Sequence, residues 1–488
     1  MNLPKSTASA GVCVAVLLST LLGGAASFAQ DLRHPREMDL PPSQFQRPGP
    51  ESLQLMLDNG VVAYVVEDHR APLVTLTAFV GVGSGHGAPG EAAALAAAFR
   101  RGPQSMAGTD FVDSLAAMHA QFHVTQHHEI TEVFLDVPVK DSAKALNLLG
   151  ELLSNPAFDG TGSGPRQATA SGSIDYNYSL VNALALFNDR LFAGHPFTRT
   201  ASSQEQTLAA QSGARKLHER YVVAKNVTLA VAGDFERSTA IKDTRRAFRA
   251  LRNEQPPAPK SFPALFTNDG TDDGSKNSRQ LITQQADRIQ GWIVIGHELP
   301  VVPTEDEAAL AVMDYVLGAY HLDSRLYRSS RELRGLTNDN SSFLEPGVRG
   351  PGSYTFRTYG RPEAVRLLVK ITFDELNRMR DTLPTDTELF VAKGALVDGI
   401  YAERYATGVN ASQAYAKEWL TLGSHERSAS FADRVAQVTP ESVRQAAIKY
   451  IHPERMIVTV LGPLEKIEAA PPIESEPQIA VWGATSRP

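Results

Sequence analysis

The chain has 488 residues, enough for two or three domains each with its own core. With 42% hydrophobic and 21% charged residues its composition is that of an ordinary folded protein. A net charge of −7 argues against a nucleic-acid-binding surface.

The first elements belong to export and not to the fold. Lys5 precedes the apolar run "GVCVAVLLSTLLGG", and small residues, "AASFAQ", follow it. This is the order of a secretory leader, residues 1–29, with cleavage expected after Ala29. The apolar run is short for a bilayer span, so no membrane span is expected in the mature chain. Cys13 is the only cysteine, and "AGVC" is a poor lipid-attachment box. The mature chain then has neither disulfides nor zinc–thiolate sites. An exported protein of this size without disulfides suits a bacterial periplasm.

Residues 30–50 are Pro-rich and polar and read as an extended arm. Residues 51–251 open with strand-like alternation, "LQLMLDNGVVAYVVED" and "PLVTLTAFVGVG", and turn to helical spacing at "GEAAALAAAFRRG". Residues 252–278 are rich in Pro, Gly, Asn and Asp and read as a linker. Residues 279–463 repeat the plan: "RQLITQQADRIQGWIVIGHE" alternates and "TEDEAALAVMDYVLGAY" is helical. Gly233 stands twelve positions after Tyr221, and Gly462 twelve after Tyr450, each at the end of an apolar strand preceded by a helical segment. Residues 464–488 form a Pro-rich tail. The pattern predicts a duplicated α+β domain, each copy an antiparallel sheet with helices packed on one face.

Two motifs invite a ligand. "HAQFHVTQHHE" (119–129) holds four of the thirteen histidines. Imidazole is a common zinc ligand, and His-rich tracts often bind metal. Here "DFVDSLAAMHA" is a helix, and "QFHVTQ" and "EITEVFLDV" are strands of a hairpin. His119 then ends the helix, His123 lies on a strand, and His127 and His128 sit near the tip and point apart. Solvated or capping imidazoles account for them better than an adventitious metal site. "GVGSGHG" (81–87) lies between a strand and a helix, but a dinucleotide fingerprint needs a third glycine where His86 stands. A flexible connection is the better account.

Several stretches together resemble the M16 (pitrilysin/insulinase-like) metallopeptidase family, most closely its bacterial two-domain members. They are "LDNGVVAYVVEDHRAPLVTLTAFVGVGSG" (57–85), "LLSNPAF" (152–158), "AGHPFTR" (193–199), "LGAYHLDSRLYRSSRELRGL" (317–336) and "VTPESVRQAAIKYIHPERMIVTVLGP" (438–463). They cover nearly the whole mature chain in family order.

In catalytic members the helix after the glycine-rich connection carries H-x-x-E-H, whose histidines grip zinc while the glutamate activates water. Anchored on Gly90 and Gly102, that motif falls on Ala93, Ala96 and Ala97. The third ligand is a glutamate shortly before the "GHP" stretch, and no glutamate occurs between Glu151 and Glu205. No H-x-x-E-H occurs in either direction anywhere in the chain. The resemblance therefore implies no zinc cofactor in this chain.

The second half keeps more. Arg325, Arg328, Arg331 and Arg334 recur every three residues and form one stripe if helical. Catalytic members carry an Arg and, seven residues on, a Tyr that face zinc across the chamber. By position these are Arg331, which is kept, and Asn338, a departure; both are candidate substrate-binding residues. A solvated helix face explains the stripe equally simply.

The resemblance thus implies a periplasmic, non-catalytic subunit. It would pair as a heterodimer with a zinc-bearing, H-x-x-E-H-containing partner and supply one wall of a chamber for peptide substrates. The rival is a scaffold or peptide-binding protein without any peptidase partner, since the family's core subunits of respiratory complexes are structural. An independent hydrolase would need an unrelated site, and no Ser/His/Asp or paired-carboxylate arrangement singles itself out.

Overall fold

The computed structural model of the protein describes residues 47–106, 108–158, 174–197, 204–265, 279–319 and 322–470. The leader, 1–29, and residues 30–46 of the arm lie outside them, as do 266–278 of the linker and 471–488 of the tail.

Strands β1 (Gln54–Met56), β2 (Val62–Glu67), β3 (Leu73–Val80), β4 (Gln121–Gln126), β5 (Thr131–Pro138) and β6 (Val227–Gly233) build a six-stranded sheet in the order β1-β2-β6-β3-β5-β4. Strands β7 (Gln280–Gln285), β8 (Gly291–Leu299), β9 (Asn340–Glu345), β10 (Gly352–Gly360) and β11 (Ile457–Gly462) build a second sheet in the order β7-β11-β8-β10-β9. Without β1, the two orders are the same once the strands are matched by position in each half. The duplication read from the tyrosine–glycine spacing is therefore a duplication of topology. Each sheet is antiparallel except for one parallel pair, β2 with β6 and β7 with β11.

The longer helices of the first half are α1 (Glu91–Arg101), α2 (Thr109–Ala117), α3 (Ser142–Ser154), α4 (Ile174–Leu191), α5 (Gln204–Tyr221) and α6 (Arg237–Phe248). Those of the second are α7 (Thr304–Leu317), α8 (Val365–Asp381), α9 (Asp386–Gly394), α10 (Gly408–Leu422), α11 (Pro440–Tyr450) and α12 (Leu464–Ala469). Local signals fix several ends. Thr385 and Glu388 close a capping box on α9, Thr439 and Ser442 close one on α11, and Pro440 opens the first turn of α11. None of the described helices is long and apolar enough to cross a membrane.

The α+β class holds, with one addition to the expected layering. Each sheet is covered on one face by its own helices and on the other by a helix from the opposite half. In the first sheet Ala63 and Val65 meet the core with Leu95, Phe99 and Leu149, while Val62 and Tyr64 turn the other way onto Ala411 and Tyr415 of α10. In the second, Ile293 and Ile295 pack with Met313 and Leu368, while Trp292 and Val294 meet Ala183 and Phe187 of α4. The approach of α4 is close: a Cβ on Gly296 of β8 would stand 2.9 Å from the Phe187 ring. Covering on both faces explains why β6, β8 and β11 are buried throughout instead of alternating.

The breaks are better held than their composition predicts. The described part of the linker forms neither helix nor strand, yet Phe262 is buried against Phe197, with ring centroids 4.8 Å apart, and its amide donates to the Arg349 carbonyl at 3.0 Å. The tail begins with α12, whose Ile467 is buried in the second core.

Candidate functional site

Helix α1 starts at Gly90, whose φ of 88° favours glycine, and the Glu91 carboxylate accepts the Ala88 amide at 2.9 Å. It packs on α5 and β4. Ala93 is exposed and Ala97 half-buried on one face, whereas Ala96 is 1% exposed and packs in the core beside Leu95 and Phe99. The backbone that would present a metal motif is intact. The three side chains on it have no lone pair and no exchangeable proton. Of residues 168–189, where the third ligand is expected, 168–173 and the side chains of 174–178 lie outside the described residues.

The histidine run forms the predicted helix end and hairpin, and its rings separate. His119 is exposed at φ 49° just after α2. His123 stacks on Phe134, with centroids 4.3 Å apart, and His128 stacks on Phe197 at the same separation. His127 lies 4.0 Å from Glu132. Among the described residues no group of three or more His, Cys, Asp or Glu is placed to hold a metal ion. Glu129, which closes the run, is the member that reaches across the molecule. It is buried, and its carboxylate accepts the amides of Val348 at 2.8 Å and Arg349 at 3.0 Å in the β9–β10 loop. Sequence reasoning gave it no role, and nothing in its neighbours signals one.

The glycine-rich connection is pinned rather than flexible. A Cβ on Gly83 would stand 2.4 Å from the His127 carbonyl oxygen, and one on Gly85 would meet Phe197 and Phe262. His86 is buried, accepts the Gly83 amide on Nδ1 at 3.1 Å, and sits edge-on to Tyr221 and Phe262. Burial, reinforced by the charges of Lys260 and Arg349, pushes its pKa down to about 4. The glycines here make room for close packing.

The four arginines do not form one stripe. A short helical turn, Arg325–Tyr327, runs into a π-helical turn, Arg328–Glu332. Steps of three residues fall short of a full turn, and the π geometry widens the shortfall, so successive arginines rotate around the axis. Arg325 points inward and makes a two-pronged ion pair with Glu388, at 2.8 and 2.9 Å. The Arg334 guanidinium donates to the Ser329 carbonyl at 2.6 Å. Arg328 is exposed, 3.8 Å from Glu332. Arg331 is exposed and has no ion-pair partner among the described residues. Asn338 is exposed in the bend before β9. This segment packs on α7, α8 and β9. The alanines of α1 and the residues Arg331 and Asn338 thus belong to different halves, and the two segments pack on different elements.

The model of the Peptidase M16 inactive domain matches residues 214–396. Cytochrome b-c1 complex subunit 1, mitochondrial, of Bos taurus is 20% identical over 473 residues, spanning 93% of this chain and 92% of the relative. Among solved structures, a peptidase M16 inactive domain from Pseudomonas fluorescens superposes with a TM-score of 0.65 at 19% identity, covering 84% of this chain and 97% of the other. A protease from Helicobacter pylori gives 0.64 at 16%, covering 84% and 98%, and a chain of Complex III2 from Candida albicans gives 0.62 at 15%, covering 85% and 96%. The structural likenesses speak for the fold; the inactive-domain match and the motif order speak for descent. Residues 214–396 are thus similar to the inactive domain of M16 peptidases, and the chain as a whole shares the fold of the M16 inactive-domain structure.

Proposed function

We propose that the protein is the non-catalytic subunit of a periplasmic M16-type zinc peptidase. It would pair with an H-x-x-E-H-bearing subunit and form the opposite wall of a chamber that degrades or processes peptides. The observation that carries this reading is the contrast between α1 and the arginine turn. The helix keeps its place and packing but bears alanine at all three motif positions, whereas Arg331 stays exposed. An exposed guanidinium is a ready donor to a peptide carbonyl that gains negative charge, provided the zinc comes from elsewhere. Export rests on the leader-like residues 1–29.

The test is reconstitution. The mature chain is mixed with an M16 homologue from the same genome that carries H-x-x-E-H, and assembly and turnover of an unstructured peptide are followed together. A stable complex whose turnover exceeds that of the partner alone, and is abolished by a chelator, is expected. A complex that forms without any gain in turnover would favour a second reading, a structural scaffold. That reading draws on the end-to-end match to a bovine cytochrome b-c1 complex subunit.

A further inference from the structure

A cleft of about 380 Å³ opens at the seam between the halves. The start of β6 and the pinned residues Gly81 and His86 form one side. The linker residues Pro256, Pro257 and Pro259 and the end of α10 around Trp419 form the other. Three cations line it, Lys225, Lys260 and Arg349, and among the described residues lining it there is no acidic side chain. Each cation has donors to spare. Lys260 gives one N–H to the Gly85 carbonyl at 3.1 Å, and Arg349 gives one to the Thr421 carbonyl at 2.8 Å. Lys225 is exposed, and none of the three has an ion-pair partner among the described residues.

A concave site lined by charges of one sign focuses its field on the opposite sign. The walls add shape. Proline fixes φ, so the 256–259 stretch is preformed, and with Trp419 it offers an apolar surface beside the cations. The volume lies at the small end of ligand pockets. We propose that this cleft binds a carboxylate carried by a short apolar peptide, its free C-terminus or an acidic side chain, with an apolar neighbour against the prolines and Trp419. The choice of a peptide rests on the peptide-handling reading above.

The experiment is isothermal titration of the isolated mature chain with three probes: acetyl-Ala-Leu-Leu as the free acid, the same peptide as its amide, and acetyl-Leu-Glu-Leu amide. The free acid is expected to bind and the neutral amide to fail. Binding of the glutamate amide would extend the site to side-chain carboxylates, and its failure would confine it to the terminus. Lys225→Glu with Lys260→Glu should weaken binding roughly tenfold, the scale of two exposed charge contacts reversed. Both lysines are exposed, and the one hydrogen bond given up is that of Lys260 to the Gly85 carbonyl, so the melting curve should move only slightly, and a folded double variant keeps the result interpretable. Equal binding of acid and amide, no binding of either, indifference to the double reversal, or displacement by equimolar acetate would each overturn the proposal. Since no partner is present, a chain that binds these peptides but assembles with no zinc-bearing subunit would refute the heterodimer alone.

Discussion

The Glu129 carboxylate on the β4–β5 hairpin holds two successive backbone amides, Val348 and Arg349, of the β9–β10 loop, so one half grips a loop of the other. Hydrogen bonds to a charged acceptor contribute about 1.5–3 kcal/mol, and here two half-buried donors depend on one buried group. Glu129→Ala should therefore lower stability by roughly 2–3 kcal/mol. Glu129→Gln keeps an acceptor and should lose less. Thermal melting reads the first effect, and faster hydrogen exchange at amides 348 and 349 reads the local one. Wild-type exchange at those amides in the alanine variant would show that other contacts hold the loop.

Arg325 and Glu388 should make themselves felt in acid. The Glu388 carboxylate is partly desolvated, but the Arg325 guanidinium and the α9 cap outweigh this and hold its pKa down at about 2, against an ordinary 4.5. A depressed pKa contributes stability that is fully present above 4.5 and lost as pH falls toward about 2. In Arg325→Ala much of that acid-dependent loss should disappear, because the stabilisation is already gone at neutral pH. There the variant should be destabilised by roughly 3 kcal/mol, since a carboxylate is left without its cation. Denaturant melts across that pH window decide the matter.

Asp314 has the opposite sign. Burial raises its pKa to about 6, although the hydroxyls of Ser342 and Tyr354, at 2.6 and 2.7 Å, favour the charged form. The folded chain then keeps a proton that the unfolded chain releases near 3.8. Stability from this group is fully present below 3.8 and lost as pH rises to about 6. Asp314→Asn retains an acceptor and cannot ionise. At neutral pH it should be more stable by roughly 1–2 kcal/mol, after the cost of its new unpaired N–H groups. The gain should vanish in acid. A gain that persists unchanged at pH 3.8 would mean that ionisation is not its source.

Much of this fold was legible because its signals are local. Alternation or an apolar run marked the strands, Tyr221–Gly233 and Tyr450–Gly462 marked the repeat, and alanines on α1 stood in register with a metal motif. The exchange of α4 and α10 between halves was not legible. Phe187 and Tyr415 are apolar faces that any sheet could receive, and only the assembled topology selects the opposite one. The arginine stripe failed for a related reason: a three-residue step looks like a face until a π turn rotates it, and the partner of Arg325, Glu388, lies sixty-three positions away. The cationic cleft draws Lys225, Lys260, Arg349 and Trp419 from four separate stretches and has no signature in any one of them.

Rebuilding the metal motif should fail for two separable reasons. Ala93→His and Ala97→His place rings on exposed and half-buried positions and should be tolerated. Ala96→Glu puts a carboxylate where alanine is 1% exposed and should cost roughly 2–4 kcal/mol. Two histidines without a third ligand also hold zinc weakly, since catalytic sites normally use three protein ligands. The triple variant should melt well below wild type and retain no stoichiometric zinc after dialysis. Robust zinc retention with chelator-sensitive turnover would show that a third ligand exists elsewhere in the chain.

The sharpest test of the shared chamber is Arg331. If its guanidinium meets a peptide carbonyl near the partner's zinc, Arg331→Ala should lower turnover of the reconstituted complex without unfolding the chain. The residue is exposed, so the stability change should stay within about 0.5 kcal/mol. An oxyanion-type donor contributes about 10²–10³ in rate when removed. Asn338, shorter than tyrosine and lacking its phenol, stands in place of the second donor, so a smaller loss of about tenfold is expected here. Arg328→Ala is the control, because Arg328 is also exposed but engages Glu332. A smaller effect at 328 than at 331 would mean a placed contact, whereas equal effects would mean bulk charge. Size exclusion confirms assembly before each kinetic measurement. Unchanged turnover in an intact Arg331→Ala complex would remove this turn from the chamber wall, and the scaffold reading would then lead.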